Sequence, residues 1–336
     1  MAASLGAAAL ISGACAPDAD TPPPEPSLAS PEPSEAESPA RIVEGKGLLG
    51  QTLYRIELPD AARQKQEAFL EEAQARLDEH PEEVDAWIWV GRRTAYLGRY
   101  QDAIATYSKA LEQEGWDDQA KARLLRHRGH RYLSLRQLDE AAQDFEQAAS
   151  LVEGQPDRVE EDGLPNARNQ PTSTLGTNIW YHLGLVRYLQ ADWQAATEAY
   201  EQCWELSKNP DMQSATAYWL YMTLRHLDRE TDAEELLGKI HRDMDIIENR
   251  AYHDLLTAFQ GKADLAARLS AAEAEGDAAL ATTGYGVGMG HQLNGDSEAA
   301  RDVWNQVVET SVWSSFGFIA AEAELMHLQD APGQLE

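Results

Sequence analysis

The 336-residue chain is expected to be all-α, a solenoid of antiparallel helix pairs. Three observations point there. Alanines recur at one place in a helical-hairpin pattern: Ala103, Ala141, Ala196, Ala233, Ala266 and Ala300. Around each stand large and small apolar residues at three- and four-residue steps, the spacing of one helix face. No run rich in Val, Ile and Thr alternates apolar with polar residues, so a substantial sheet is not expected. With 43% apolar residues the chain can bury a large surface, but an array of repeats spreads it along its length instead of gathering it in one centre.

The unit is clearest at its first appearance. From Val84 to Ala95, Trp87, Val90, Gly91 and Thr94 share a helix face, and Gly98 ends the helix. A second helix from about Tyr100 to Leu111 turns Ala103, Ile104, Tyr107, Ala110 and Leu111 to one side. Small residues at Gly91 and Ala103 allow close approach, while Trp87 and Tyr107 fill the wedge toward neighbouring pairs. A second copy has Gly129, Tyr132, Leu138, Ala141, Phe145 and Ala148. A third has Trp180, Leu183, Gly184, Trp193, Ala196, Tyr200 and Cys203. Leu220, Tyr221, Leu224, Ala233, Leu237 and Ile240 make a fourth; Val287, Gly288, Gly295, Ala300, Trp304 and Val307 make the last. The fifth is degenerate: Gly261 and Ala266 hold their places, but Asp254, Ser270 and Glu273 stand where small or apolar residues belong.

This pattern resembles the tetratricopeptide repeat, a helix-turn-helix of roughly 34 residues, most closely in 86–111, "AWIWVGRRTAYLGRYQDAIATYSKAL". The resemblance runs from Val84 to Ser314 and implies a right-handed superhelix with a concave inner surface, without implying a ligand. Repeats are expected near 84–117, 122–155, 177–210, 214–247, 247–280 and 281–314, within a solenoid spanning 59–328. Arrays of this kind need polar or capped ends. A flanking helix from about Asp60 to Glu79, with Phe69, Ala73 and Leu77 on one side, is expected to pack on the first pair. A cap helix over 312–328 is expected to lay Trp313, Phe316, Ala320 and Ala323 on the last pair, with Glu322 and Glu324 pointing away.

The amino-terminal region is a different object. The apolar run from Leu5 to Ile11 is followed by Ser12, Gly13, Ala14 and Cys15, which resembles the cleavage box of bacterial lipoprotein signal peptides. The resemblance implies that 1–14 is removed and Cys15 carries the lipid. No Lys or Arg precedes the run, and Ser12 stands where Leu is usual. The stretch 15–58, Pro- and Glu-rich at its start, reads as a disordered tether and lead-in. By resemblance to enterobacterial lipoprotein sorting, Ala16 after the cysteine implies the outer membrane, the body facing the periplasm or the cell surface. The competing reading is a cytoplasmic protein with an incidental cysteine. The only other cysteine, Cys203, sits at a packing position.

The net charge of −29 makes nucleic acid an unlikely partner and leaves the lipid as the only means of membrane attachment. Against that background Lys121, Arg123, Arg126, Arg128, Arg131 and Arg136, with His127 and His130, load one helix with positive charge. By resemblance, the first helix of each pair lines the groove, which places Arg92, Arg123, Arg126, His130, Tyr181, Tyr188, Tyr218, Met222, Arg225 and Tyr285 inward. Such a groove suits an acidic peptide or a carboxyl terminus. The alternative is pairing of these arginines with nearby acids such as Asp117 and Asp139. Ile88 and Arg92 stand where the family's carboxylate clamp has Lys and Asn.

An insertion near 154–176 lengthens the second repeat. It reads as partly ordered: a flexible charged front, Asp157 to Asp162, and a back half with Asn166, Arg168, Asn169, Thr172 and Thr174, rich in capping groups, as a fixed lid over the groove. Catalytic patterns are weak. His127 and His130 lack a metalloprotease glutamate, and "GYGVGMG" at 284–290 resembles a dinucleotide loop without its strand. No metal, cofactor or catalytic residue is expected. The reading is a non-enzymatic, envelope-anchored scaffold for protein or peptide, with the alternative a periplasmic small-ligand receptor whose pocket lies under the inserted loop and uses Tyr181, Tyr188 and Tyr218.

Overall fold

The computed structural model describes residues 41–161 and 164–330. The expected signal peptide, Cys15 and the Pro-rich tether therefore lie outside the described residues. The chain enters through a small antiparallel hairpin, β1 (Val43–Lys46) and β2 (Thr52–Tyr54), with a bulge between Val43 and Gly45. Residues 41–58 were expected as part of a disordered lead-in. They are instead ordered, and the reason is burial: Leu53 and Glu44 are almost fully covered. The Glu44 carboxylate accepts from Arg55 at 2.7 Å and from the Gln101 amide at 3.1 Å.

Helices follow in series: α1 (Asp60–Glu79), α2 (Val84–Tyr96), α3 (Tyr100–Leu111), α4 (Asp118–Ser134), α5 (Leu138–Val152), α6 (Leu175–Leu189) and α7 (Trp193–Leu206). After them come α8 (Pro210–His226), α9 (Glu230–Gly238), α10 (Arg250–Phe259), α11 (Leu265–Glu275), α12 (Asp277–Leu293), α13 (Ser297–Val308) and α14 (Phe316–Asp330). Most helices pack on the next in sequence, and the first helices of successive pairs stack on one another: α2 on α4, α4 on α6, α6 on α8, α8 on α10, α10 on α12. That is the contact pattern of a solenoid, in which neighbours supply the buried surface.

The small-to-large matching within a pair is visible at Gly184, where an added Cβ would stand 2.8 Å from the Tyr200 ring, and at Gly129, 3.1 Å from Phe145. The same relation joins Gly91 to Tyr107 and Gly288 to Trp304. Ala103, Ala141, Ala196, Ala233 and Ala300 are fully buried. Ala266, in the degenerate unit, is exposed, and α11 lies against α12, burying only Ala272. Gly286 on α12 abuts Leu255 and Tyr218, so the glycines of 284–290 serve helix packing.

The last helix departs from expectation. It lies against α12 and α13, but it also reaches α6, and from Phe316 to Leu325 it is buried on every side. Glu322 and Glu324 do not point away: they are 0% and 6% exposed. A helix apolar all round belongs inside a fold, and α14 runs inside the curve of the array. There it meets the amino-terminal hairpin, where the Trp313 indole donates to the Tyr54 carbonyl at 2.8 Å. The two ends of the array close on each other.

Candidate functional site

The inner side of the array takes its shape from α6. One stripe of this helix, Tyr181, His182 and Tyr188, faces inward; another, Gly176, Trp180, Leu183 and Arg187, faces a cleft on its other flank. The capping box at Thr174 and Thr177 fixes where the helix begins, and hence which residues fall on each stripe.

Inside, α14 is held by its carboxylates. The Arg136 guanidinium donates to Glu322 at 2.8 Å and to the Trp313 carbonyl at 2.7 Å. Burial pushes the Glu322 carboxyl above its usual range and pulls the Arg136 guanidinium down, each partly offset by the other's charge. The Tyr188 and Tyr285 hydroxyls hydrogen-bond each other at 2.6 Å and each lies 3.2 Å from Glu324 Oε1, with His226 3.4 Å from the same carboxylate. Phe316 sits 5.5 Å from the rings of both His130 and His182. The groove thus does hold an acidic segment, and that segment belongs to the chain itself.

The insertion supplies a second internal partner. Glu160 is buried, pairs with Arg126 at 2.8 Å and accepts from Asn178 at 2.5 Å. Arg92 donates to the Glu161 carbonyl at 2.8 Å and stacks on Trp89. Asn166 and Thr172 bind Glu248 at 2.8 and 2.7 Å, and Arg168 grips Asp245 at 2.6 and 2.8 Å. Asn169 adopts a left-handed φ of 51° in this turn. The backbone around Glu248 is itself fixed, because the Asp211 carboxylate accepts the amides of Ile247, Glu248 and Asn249. The back half of the insertion is a fixed strap; it covers packed side chains.

The expected groove residues are therefore not an open lining. Tyr181, Tyr188, Tyr218, Met222 and Tyr285 are at most 3% exposed, so the three tyrosines proposed for a small ligand are covered by packed neighbours. Tyr181 accepts from the Trp219 indole at 2.7 Å, and Tyr218 stacks on Tyr252 at 4.7 Å. Arg123 pairs with Asp85 and not with Asp117, while Arg225 donates to the Tyr221 hydroxyl at 3.0 Å near the surface. Arg123 and Arg126 do pair with acids, as the alternative reading had it, but with partners remote in sequence, whereas Arg225 approaches the nearby Glu230 at 3.8 Å and Arg92 binds a backbone carbonyl.

The open space is elsewhere. A cleft of about 760 Å³ lies between the C-terminal half of α5 and the length of α7, floored by Trp180, Leu175, Leu183, Val152 and Leu206. Its rim carries Glu146, Glu153, Asp157, Asp192, Glu198 and Glu205 against Arg158 and Arg187. The front half of the insertion, 153–158, forms one wall, with Asp157 accepting the Gly176 amide at 2.9 Å. Sequence reasoning missed this cleft because Trp180 and Leu183 were read as interior packing of the third copy. The extra chain after α5 was the available signal, since an insertion separates second helices that would otherwise touch.

Reactive chemistry is sparse. Cys203 is fully buried and burial pushes its thiol up to about 12, so it is a packing residue and poor nucleophile. Among the described residues one trio, His80, Glu82 and Glu83, brings possible metal ligands within 4.8 Å, but it is largely exposed and Glu83 already pairs with Arg76 at 2.8 Å.

No family model and no curated protein matches the chain. Solved structures do resemble it. YrrB, a TPR protein with an unusual peptide-binding site, is 15% identical with a TM-score of 0.41, covering 78% of this chain and 100% of that one. A kinesin light chain protein of Podosopora anserina with nearly identical TPR-like repeats is 16% identical with a TM-score of 0.40, covering 69% and 96%. A tetratricopeptide repeat protein from Parabacteroides merdae is 14% identical with a TM-score of 0.43, covering 78% and 98%. This chain is similar to those proteins in being an all-α array of helical hairpins, here with its inner side closed by its own last helix.

Proposed function

We propose that the protein is a non-catalytic scaffold that binds other proteins or peptides, carried in the bacterial cell envelope by a lipid on Cys15, and that its binding face is the cleft between α5 and α7 in place of the concave groove. One observation carries this reading: the inner side is already filled, α14 seating Glu322 on Arg136 and the insertion seating Glu160 on Arg126, whereas the cleft has an apolar floor with no segment of the chain laid over it. Displacing α14 would expose Phe316, Phe318, Ile319 and Leu325, each worth about 1.5–3 kcal/mol of burial, so the groove is not readily vacated. A half-open trough suits a peptide segment better than an enclosed small molecule. The anchoring part rests on the sequence Ser12-Gly13-Ala14-Cys15, and no helix among the described residues is long and apolar enough to cross a membrane.

The test is site-specific photo-crosslinking in cells. A photoreactive residue at Gln202, on the cleft wall, should give a defined protein adduct, while one at exposed Gln143 on α5 should give none. Identical adducts at both positions, or none at Gln202, would overturn the cleft. In the same cells Cys15→Ser should release the protein from the membrane fraction; unchanged sedimentation with membranes would overturn the anchor.

A further inference from the structure

We propose that the cleft recognises a cationic amphipathic segment of a partner protein, an apolar side chain seated on Trp180 with lysines or arginines reaching the rim. This deepens the scaffold reading and rests on it. Two independent features of the cleft point to positive charge.

The first is its helix ends. Both α5 and α7 terminate at the cleft, and neither has a basic residue in its last turn. A helix C-terminus carries about half a negative charge and is ordinarily complemented by Lys, Arg or His. Here the reverse is found: Glu153 is the C-cap of α5, and Glu205 lies in the last turn of α7. The amino ends of α6 and α7 reach the same cleft, but Asp157 and Asp192 already accept the Gly176 and Ala195 amides there, so the two carboxyl ends, each with a carboxylate added, are the ones left unanswered.

The second is the state of the carboxylates. Four of the six rim acids have some internal partner: Glu146 pairs with Arg187, Asp157 and Asp192 accept backbone amides, and Glu198 accepts from Gln194. Among the described residues none of Glu153, Glu198 and Glu205 has an ion pair. Lys208, close by, turns to the Glu205 backbone carbonyl instead. An apolar floor under unpaired acids is the complement of a segment with one apolar and one basic face.

The charge also selects against other occupants. Residues 1–40 hold six acids and no base, so the chain's own amino-terminal region is repelled. A second copy carries the same strong negative charge and is repelled too. The occupant is a basic segment from a different protein.

The experiment uses the full chain and a fluorescent peptide with leucines on one helix face and lysines on the other, read by anisotropy. Binding should tighten as salt falls, and an otherwise identical peptide with glutamates for lysines should not bind. Glu153→Lys/Glu198→Lys/Glu205→Lys should weaken binding about tenfold or more, as should Trp180→Ala. The control Glu71→Lys/Glu72→Lys/Glu79→Lys makes the same change in net charge at exposed sites on α1, which contributes nothing to the cleft, and should leave binding within about twofold. Equal loss in both triple variants would overturn the proposal as mere bulk attraction, and so would binding of both peptides, or of spermidine without the peptide. A defined adduct at Gln202 together with failure of the basic peptide would leave the scaffold reading standing and sink this one.

Discussion

Each first helix of the six pairs ends in a residue with left-handed backbone, at Gly98, Arg136, Ala191, Asp228, Gly261 and Gly295, with φ between 55° and 80°. This conformation lets the chain reverse and satisfies the last carbonyls, and glycine adopts it without steric cost. Three of the six are not glycine, and a side chain there costs about 1–2 kcal/mol. At Ala191 nothing offsets the strain, so Ala191→Gly should raise stability by about 1 kcal/mol in urea unfolding; a loss would contradict the backbone reading. At Arg136 the strain is repaid, since the guanidinium holds Glu322 inside the fold. Arg136→Gly should therefore destabilise in spite of the relaxed backbone: stranding a buried carboxylate costs about 3–5 kcal/mol, a net loss of roughly 2–4. The turns at Gly98, Gly261 and Gly295 were legible because glycine announces them. Those at Arg136, Ala191 and Asp228 were not, because nothing in these side chains marks a left-handed residue.

The helices themselves were largely readable, since pairs such as Gly184 with Tyr200 encode the contact between partners locally. What periodicity could not give is the use of a helix within the whole. The segment 316–325 reads equally as a cap with polar outward glutamates or as an inner helix whose glutamates find cations, and only the distant positions of Arg136, Tyr188 and Tyr285 decide between them. The groove arginines were legible as charges in the same limited sense. That Glu160, within the insertion, pairs with Arg126 is a matter of tertiary placement. The role of α14 as a core element has a measurable consequence. Phe316→Ala should cost about 3–5 kcal/mol, and native-state hydrogen exchange should quicken in α4 and α6, whose His130 and His182 rings it touches. A helix serving only as a cap would confine the change to α12 and α13, and that outcome would refute the inner placement.

At the scale of the molecule, closing an array on its own last helix converts an open spool into a body with a shared interior, and that interior contains histidines. His127, His130 and His182 are all held well below the ordinary histidine value, first by burial and then by the surrounding charges of Arg126, Arg131, Arg92 and Arg123. In the unfolded chain each takes up a proton near pH 6.5, while in the folded protein each stays neutral. The unfolded state therefore binds more protons below that pH, and stability must fall as the pH drops through it, by up to about 1.4 kcal/mol per pH unit for each histidine and about 4 for the three together. Glu322 and Asp144 act in the opposite sense, because their folded values are raised by burial. Their contribution is present below the unfolded carboxylate range and is lost as the pH rises through their folded values, so it opposes the histidine effect only toward the acid end. Urea midpoints taken at pH 7.5, 6 and 5 should decline steeply, and replacing His130 and His182 by glutamine should remove most of the slope those two groups cause. An unchanged midpoint across that range would mean that the histidines are hydrated, and with them that α14 does not seal the inside of the array.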